Sequence, residues 1–574
     1  MRTLSLLLAC ALIGLAVSAA IPKWNKVDDI MPAEHHHFTF KIAFKKQNVD
    51  VMDSLFWQIT DYNSPMFGKN LTNEQIKELV SLPEADIAEV EEYLTKESGK
   101  FCDVIVRRSI HQDYLFVDTC AAQAKQILPN LDLAVYKKEG SGHLILRHNI
   151  LMDVGHNMYL LGFPSQLEKN VDGIYGVTDI PVHQARYPDQ GPFNPQKGWQ
   201  PTVTEQTVDS MIKYFGISYD DIEDSSYSAD DAQVRQGVVE FNNAPFSASG
   251  LASFQKTYHV PINPIRKVVG TEESYGESIE ANLDVQTITA LSGKAQTWDF
   301  VFDATASFND VIETIMSTEG SPKVYSCSWG GTDEGYTKTS AESVNQDFLK
   351  LGLSGVTFHI ASGDSGPTLS ETCNSFNPQY PAASAYVVSV GGTVLDQGIE
   401  RCWEDSSGGF SGLISRPAHQ DASVNKYLSS TKLPANRNQS VYSTTGRAYP
   451  DVAAFGAFEP VFNGAQHVPI GGTSGACPQF AAMTTLINIL RYQKGKGPIG
   501  ALNKTLYQLP KGVGFDVTQG QTYATNRNLS QCGNQFLSGW LSAPGWDATT
   551  GLGSPRFATL VEQLIEVPGE KSHQ

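Results

Sequence analysis

The run Gly471-Gly472-Thr473-Ser474-Gly475-Ala476-Cys477-Pro478 places a serine at the mouth of an apolar segment that reads as a helix. A Gly-Gly pair permits a tight turn and close backbone approach. At a helix start the hydroxyl stands beside N–H groups that have no intrahelical partner, at the positive end of the helix dipole. That setting suits a nucleophile whose attack creates negative charge. Serine is also a favoured N-cap, so the motif alone fits a nucleophile or a cap.

Two further segments carry acids in arrangements that could activate such a serine. Glu280 and Asp284 are four apart in Ser278-Ile279-Glu280-Ala281-Asn282-Leu283-Asp284-Val285-Gln286, where Ile279, Leu283 and Leu291 keep helical spacing and Gly293 follows as a stop. On a helix they share one face. Buried together they would hold one proton between them at acid pH, so that one carboxylate serves as a general base oriented by the other. A solvated acidic face shows the same spacing. Asp364 follows a strand-like run in Ala361-Ser362-Gly363-Asp364-Ser365-Gly366-Pro367. Sites on open α/β sheets form beyond the carboxyl ends of strands, although a turn aspartate fits there too.

Familiar alternatives fail on missing partners. The Gly363–Pro367 run is shared with chymotrypsin-like proteases, but no histidine segment of their kind occurs. Asp-Ser-Gly occurs once, whereas an aspartic protease dyad needs two copies. The histidines beyond residue 200, His259, His359, His419, His467 and His573, sit in no setting expected of a subtilisin triad. A hydroxyl without a histidine base requires a carboxylate, and Glu280 is available.

Elements must hold these residues in place. The chain has 574 residues, 41% of them hydrophobic, which suggests about two to four domains. Acids outnumber bases 61 to 42, for a net charge of -19, and no basic patch suggests nucleic acid as a partner. Residues 1–20 read as a secretory signal, with Arg2, the apolar run Leu6 to Val17 and the small residues Ser18-Ala19-Ala20. No other segment reaches the ~18 apolar residues of a membrane span. Sequons at Asn70, Asn438, Asn503 and Asn528 fit an exported protein, and export permits disulfides. Cys477, inside the serine-bearing helix, is the expected buried free thiol. No Cys/His spacing suggests zinc.

Residues 21 to about 190 alternate strands (38–43, 104–107, 114–117) with helices (72–80, 84–94). A Pro-, Gly- and Gln-rich stretch over 187–198 reads as an exposed linker, with a boundary near 195. Beyond it, apolar runs at 298–302, 323–328, 356–361 and 387–390 alternate with helical segments such as 341–351. That pattern predicts an α/β fold, a parallel sheet with helices on both faces.

Glu-x-x-x-Asp, Ser-Gly-Asp at a strand end and Gly-Thr-Ser-x-x-x-Pro, in this order, resemble the sedolisin family of serine-carboxyl peptidases over nearly the whole chain. The resemblance implies a subtilisin-like catalytic domain over 196–574, preceded by an inhibitory α/β activation propeptide over 21–195. It implies Ser474 as nucleophile, Glu280 as general base and acid, Asp284 as the group orienting Glu280, and Asp364 as oxyanion donor. A carboxyl group donates a hydrogen bond only while protonated, so an acid optimum is expected. It also implies one structural Ca²⁺, held by the Asp516 and Asp547 carboxylates and the carbonyls of Val517, Ala543 and Gly545, hard oxygen donors of the kind calcium takes. Cys102–Cys120 and Cys373–Cys532 are the implied disulfides, and Cys327 is placed on the strand where an extended substrate would dock. The expected partners are peptide or protein substrates and the chain's own propeptide. The expected activity is release of tripeptides from free N-termini, in the lysosome or after secretion. Internal cleavage is the alternative, and a non-catalytic peptide-binding relative is disfavoured by the intact set of four site residues.

Overall fold

The computed structural model describes residues 24–27, 34–96, 98–138, 144–149, 158, 161–178, 184–185, 207–217, 231–270, 278–370, 375–430, 442–463, 466–523 and 538–567. The signal-like segment, the 187–198 linker, Asn438, Asn528, Cys373 and Cys532 lie outside them.

The larger part is built on an eight-stranded sheet. Its order runs Lys267–Gly270, Gln296–Val301, Arg235–Glu240, Val324–Cys327, Thr357–Ala361, Val388–Asp396, Ile399–Cys402, and Val452–Phe455 also pairs with Val388–Asp396. All pairings are parallel except the Val388–Asp396/Ile399–Cys402 hairpin. The apolar runs foresee four of the eight strands, Gln296–Val301, Val324–Cys327, Thr357–Ala361 and Val388–Asp396. Arg235–Glu240 is missed because its Arg-Gln-Gly start masks a central strand, and the strand expected at 387–390 extends to Asp396.

Helices Ile279–Ser292 and Thr473–Gln493 cover one face. Leu283, Ile288, Phe480 and Leu486 join a single apolar cluster there. Every described side chain of Ile279–Ser292 except Ile279 is buried, so Glu280 and Asp284 do not form a solvated face. Helices Phe308–Ser317 and Lys338–Leu353 cover the other face.

The N-terminal part has an antiparallel four-stranded sheet ordered Ile105–Arg108, Tyr114–Cys120, His37–Phe44, Val171–Tyr175. Helices Glu84–Thr95 and Ala121–Ile127 pack on it through Ile87, Val90, Leu94, Ala124 and Ile127. The Cys102 and Cys120 sulfurs are bonded. Helix Val49–Ile59 instead buries Met52 and Phe56 in the core of the larger part. A Cβ at Gly352 would stand 2.5 Å from the Phe56 ring, so only glycine lets the two elements meet this closely. A buried four-charge cluster spans the same boundary, with Lys46 to Asp347 at 3.2 Å and Lys350 to Asp113 at 2.5 Å. Its charges are mutually paired, as burial demands.

Two sequons are engaged by the fold. The Asn503 amide is buried and donates to the carbonyls of Ala385 and Val387 at 3.1 and 2.7 Å. Asn70 packs against Gly355. Asn503 is therefore a structural residue, whose sequon is engaged by the fold.

Candidate active site

Ser474 is the second residue of helix Thr473–Gln493 and is fully buried. The N-cap is Gly472, in extended backbone and without a side-chain cap bond, so Ser474 does not cap the helix. The glycines serve close approach: a Cβ at Gly456 would stand 3.1 Å from Gly392 Cα and 3.5 Å from the Gly472 carbonyl. Pro478 lacks the N–H that would normally bond the Ser474 carbonyl four residues back. The Ser328 hydroxyl lies 3.4 Å from that carbonyl instead.

Ser328 joins the serine to the acids. Its hydroxyl donates to Asp284 Oδ1 at 2.9 Å. Burial and the neighbouring Asp284 and Asp364 charges push Glu280 well above the usual carboxylate range, while the nearby Ser474 and Ser328 hydroxyls act the other way. Among the described residues neither Glu280 oxygen makes a hydrogen bond of ordinary geometry, which suits a carboxyl that must exchange a proton. Burial likewise raises Asp284, against the Ser328 hydroxyl.

Asp364 follows strand Thr357–Ala361 and reaches the start of the serine helix. Its Oδ1 accepts from Thr473 N at 2.7 Å and from Thr473 Oγ1 at 2.8 Å. The fold thus brings Ser474, Glu280, Asp284 and Asp364 together at the carboxyl end of the sheet.

No described histidine adjoins them as a base. His359 lies within strand Thr357–Ala361, buried against helix Thr473–Gln493, with Nδ1 2.9 Å from the Tyr325 carbonyl and Nε2 3.1 Å from Thr484 Oγ1, and burial pushes it down to about 4. His419 packs against Trp57 and Tyr507.

Sequence reasoning missed two neighbours. Glu240 ends strand Arg235–Glu240, is fully buried, and accepts from Trp329 Nε1 at 2.9 Å. Burial and the charges of Asp284, Asp299 and Glu280 raise it well above the usual range. An acid closing an apolar Val-Val run at a strand end was its signal. Asp333 follows the short strand Trp329–Thr332. Its Oδ2 accepts from Gly412 N at 2.7 Å and Ser411 Oγ at 3.2 Å, its Oδ1 makes no hydrogen bond among the described residues, and burial pushes it up to about 6. Nothing local in its sequence marks it.

Cys327 is a correction. It ends a central strand already paired on both sides, with Arg235–Glu240 and Thr357–Ala361, so no peptide can add there. The strand that accepts an extended segment is Trp329–Thr332, and Gln184–Ala185 pairs antiparallel with its Trp329 and Gly330. Cys327 and Cys477 are both buried free thiols.

The five residues assigned to calcium also converge. Gly545 N donates to Asp516 Oδ2 at 2.8 Å, Ala543 N donates to Asp547 Oδ2 at 2.8 Å, and Thr550 Oγ1 lies 3.5 Å from the Val517 carbonyl. Asp547 Oδ1 accepts from the N–H and hydroxyl groups of Thr549 and Thr550 and is saturated. Its Oδ2 has the single Ala543 bond and keeps a lone pair. One buried carboxylate, one exposed carboxylate and three carbonyls in one loop pair fit a hard cation.

A buried serine with carboxylate neighbours on a subtilisin-like sheet, preceded by an N-terminal part with its own antiparallel sheet, fits a serine-type peptidase with an activation domain. The model of the pro-kumamolisin activation domain matches residues 22–180, and that of the subtilase family matches residues 302–497. Tripeptidyl-peptidase 1 of Mus musculus is 29% identical over 567 residues, covering 95% of this chain and 94% of that protein, and the Homo sapiens protein is 28% identical over 559 residues with the same coverage. Pseudomonas sedolisin complexed with pseudo-iodotyrostatin aligns with a TM-score of 0.45 at 21% identity, covering 63% of this chain and 96% of the sedolisin. The chain is thus a serine-type peptidase that carries a pro-kumamolisin-type activation domain and a subtilase-type domain and is similar to tripeptidyl-peptidase 1 over 95% of its length.

Proposed function

We propose that the chain is an acid-activated zymogen whose mature form releases tripeptides from free N-termini. Ser474 Oγ attacks the scissile carbonyl carbon and its proton passes to Glu280, which Asp284 orients. The oxyanion accepts a hydrogen bond from protonated Asp364. As the C–N bond breaks, Glu280 returns the proton to the leaving amine, and water repeats the cycle on the acyl-enzyme. Asp364 must be protonated, which favours an acid medium and a lysosomal or acidic extracellular setting, while the need for ionised Glu280 bounds activity on the acid side. The Ca²⁺ would tie the Asp516 and 543–547 loops together as a structural ion.

The observation that carries the exopeptidase reading is Asp333. Ser328 adjoins the nucleophile, and Trp329–Thr332 leads from it to Asp333. Four residues of strand span about 13 Å at ~3.3 Å each, and three extended substrate residues about 10 Å. A buried carboxylate with an unengaged oxygen at that distance suits a substrate α-ammonium. Latency is supported by Gln184–Ala185, which already occupies the edge of Trp329–Gly330. The test is mass analysis of products from one peptide with a free and an acetylated N-terminus. Tripeptides from the free form alone are expected, whereas internal fragments from both would replace this reading with an endopeptidase.

A further inference from the structure

Thr473 precedes the nucleophile, is fully buried, and makes three hydrogen bonds around Asp364. Its N–H and its hydroxyl both lie within 2.8 Å of the same oxygen, Asp364 Oδ1. The hydroxyl also accepts the Gly363 N–H at 3.0 Å. With an N–H pointing at its lone pair, the hydroxyl's single proton is committed to Oδ1. Two donors fill the two lone pairs of that carbonyl-type oxygen. A proton on Oδ1 would displace one of them and leave a buried donor unpaired, which is unfavourable.

We propose that Thr473 is a positioning residue that fixes Oδ1 of Asp364 as the acceptor oxygen, so that the proton given to the oxyanion resides on Oδ2. The same contact ties the carboxyl plane to the first turn of the serine helix, and donor and nucleophile then move as one body. The inference rests on Asp364 being the oxyanion donor. Thr473 touches neither substrate nor reacting atoms and acts through Asp364.

A second consequence concerns pH. Hydroxyl donation favours the ionised carboxylate, so Thr473 limits how far toward neutrality Asp364 keeps its proton. The ionisable group facing Asp364 from helix Ile279–Ser292 is Glu280, whose own titration the Asp364 charge raises. From the overlying loop, the Asp405 carbonyl accepts the Gly366 N–H. Neither contact changes when the Thr473 hydroxyl is removed.

The experiment compares T473V, T473C and T473S with wild type in the full-length chain. Each is matured by tagged wild-type enzyme that is then removed, and kcat and KM are measured from about pH 3 to 7 on a peptide with a free N-terminus. T473V should lose tenfold or more in kcat with KM within about twofold. Its alkaline limb should move up by about 0.5–1 pH unit, the equivalent of one hydrogen bond. T473S should restore both, and T473C, a weak donor of similar size, should behave as T473V and stand in for it if that variant does not fold. D364A separates the two claims. If D364A retains activity, the oxyanion assignment fails and this inference with it. If D364A is inactive while T473V and T473C keep the wild-type kcat and alkaline limb, the positioning role alone is overturned.

Discussion

Replacing Asp284 by Asn removes one of two carboxylates that share a helix face and a buried environment, with almost no change in shape. Side chains four apart on a helix lie about 5–6 Å from each other. At an effective dielectric near 20, two unit charges at 6 Å interact by about 3 kcal/mol, or about 2 pKa units. Burial is the larger cause of the raised Glu280 ionisation and would persist, whereas the Asp284 contribution would vanish. The sign follows directly. Without the Asp284 charge, Glu280 surrenders its proton at lower pH, so the acid limb of kcat/KM should move down by as much as ~2 units. The pair titrates jointly, and the measured limb is a property of both groups. Turnover should also fall by about 100-fold, because an amide cannot share a proton with Glu280 as a carboxyl partner does. The assay is a pH–rate profile of D284N matured in trans by removable wild-type enzyme. An acid limb that stays in place, or moves upward, would refute the coupled-acid account of this site.

Buried carboxylates also link stability to pH. Glu280, Asp284 and Glu240 lie well above their ordinary range, and burial pushes Asp333 to about 6 and Glu313 to about 7. The fold therefore binds protons that the unfolded chain gives up, and this stabilisation, full below about pH 4, is lost as pH rises through the raised values. Asp113 and Asp347, held down in part by Lys350 and Lys46, work the other way below about pH 4. The S474A precursor should melt at a higher temperature near pH 4–5 than at pH 8, and a midpoint that rises over that interval contradicts this. D333N should raise KM for peptides with a free amine about 10–100-fold, as expected for a charged hydrogen bond of ~1.5–3 kcal/mol, and leave any cleavage of acetylated peptides unchanged. Equal KM values would remove Asp333 as the amine anchor. Chelation of calcium should lower the melting temperature by several degrees and added Ca²⁺ should restore it, whereas no shift would reject the site.

Much of this protein is decided locally. The Gly-Thr-Ser turn, the Ser278-capped helix stopped by Gly293, and the apolar strand running into Ser362-Gly363-Asp364 are specified by short-range propensity and spacing. Those segments single out four candidate residues without a structure, because each proposed role needs a particular functional group at a particular element end. What the sequence leaves open is which side chains meet from distant strands. Glu240 and Asp333 look like ordinary acids until Arg235–Glu240 is placed inside the sheet and Trp329–Thr332 beside Gln184–Ala185. Cys327 is misread and the burial of Asn503 unforeseen for the same reason, since neighbours far along the chain close the strand edge beside one and bury the amide of the other. Burial, and the proton affinities that follow from it, is a property of the packed whole: water is excluded by residues hundreds of positions away, and no local window contains them.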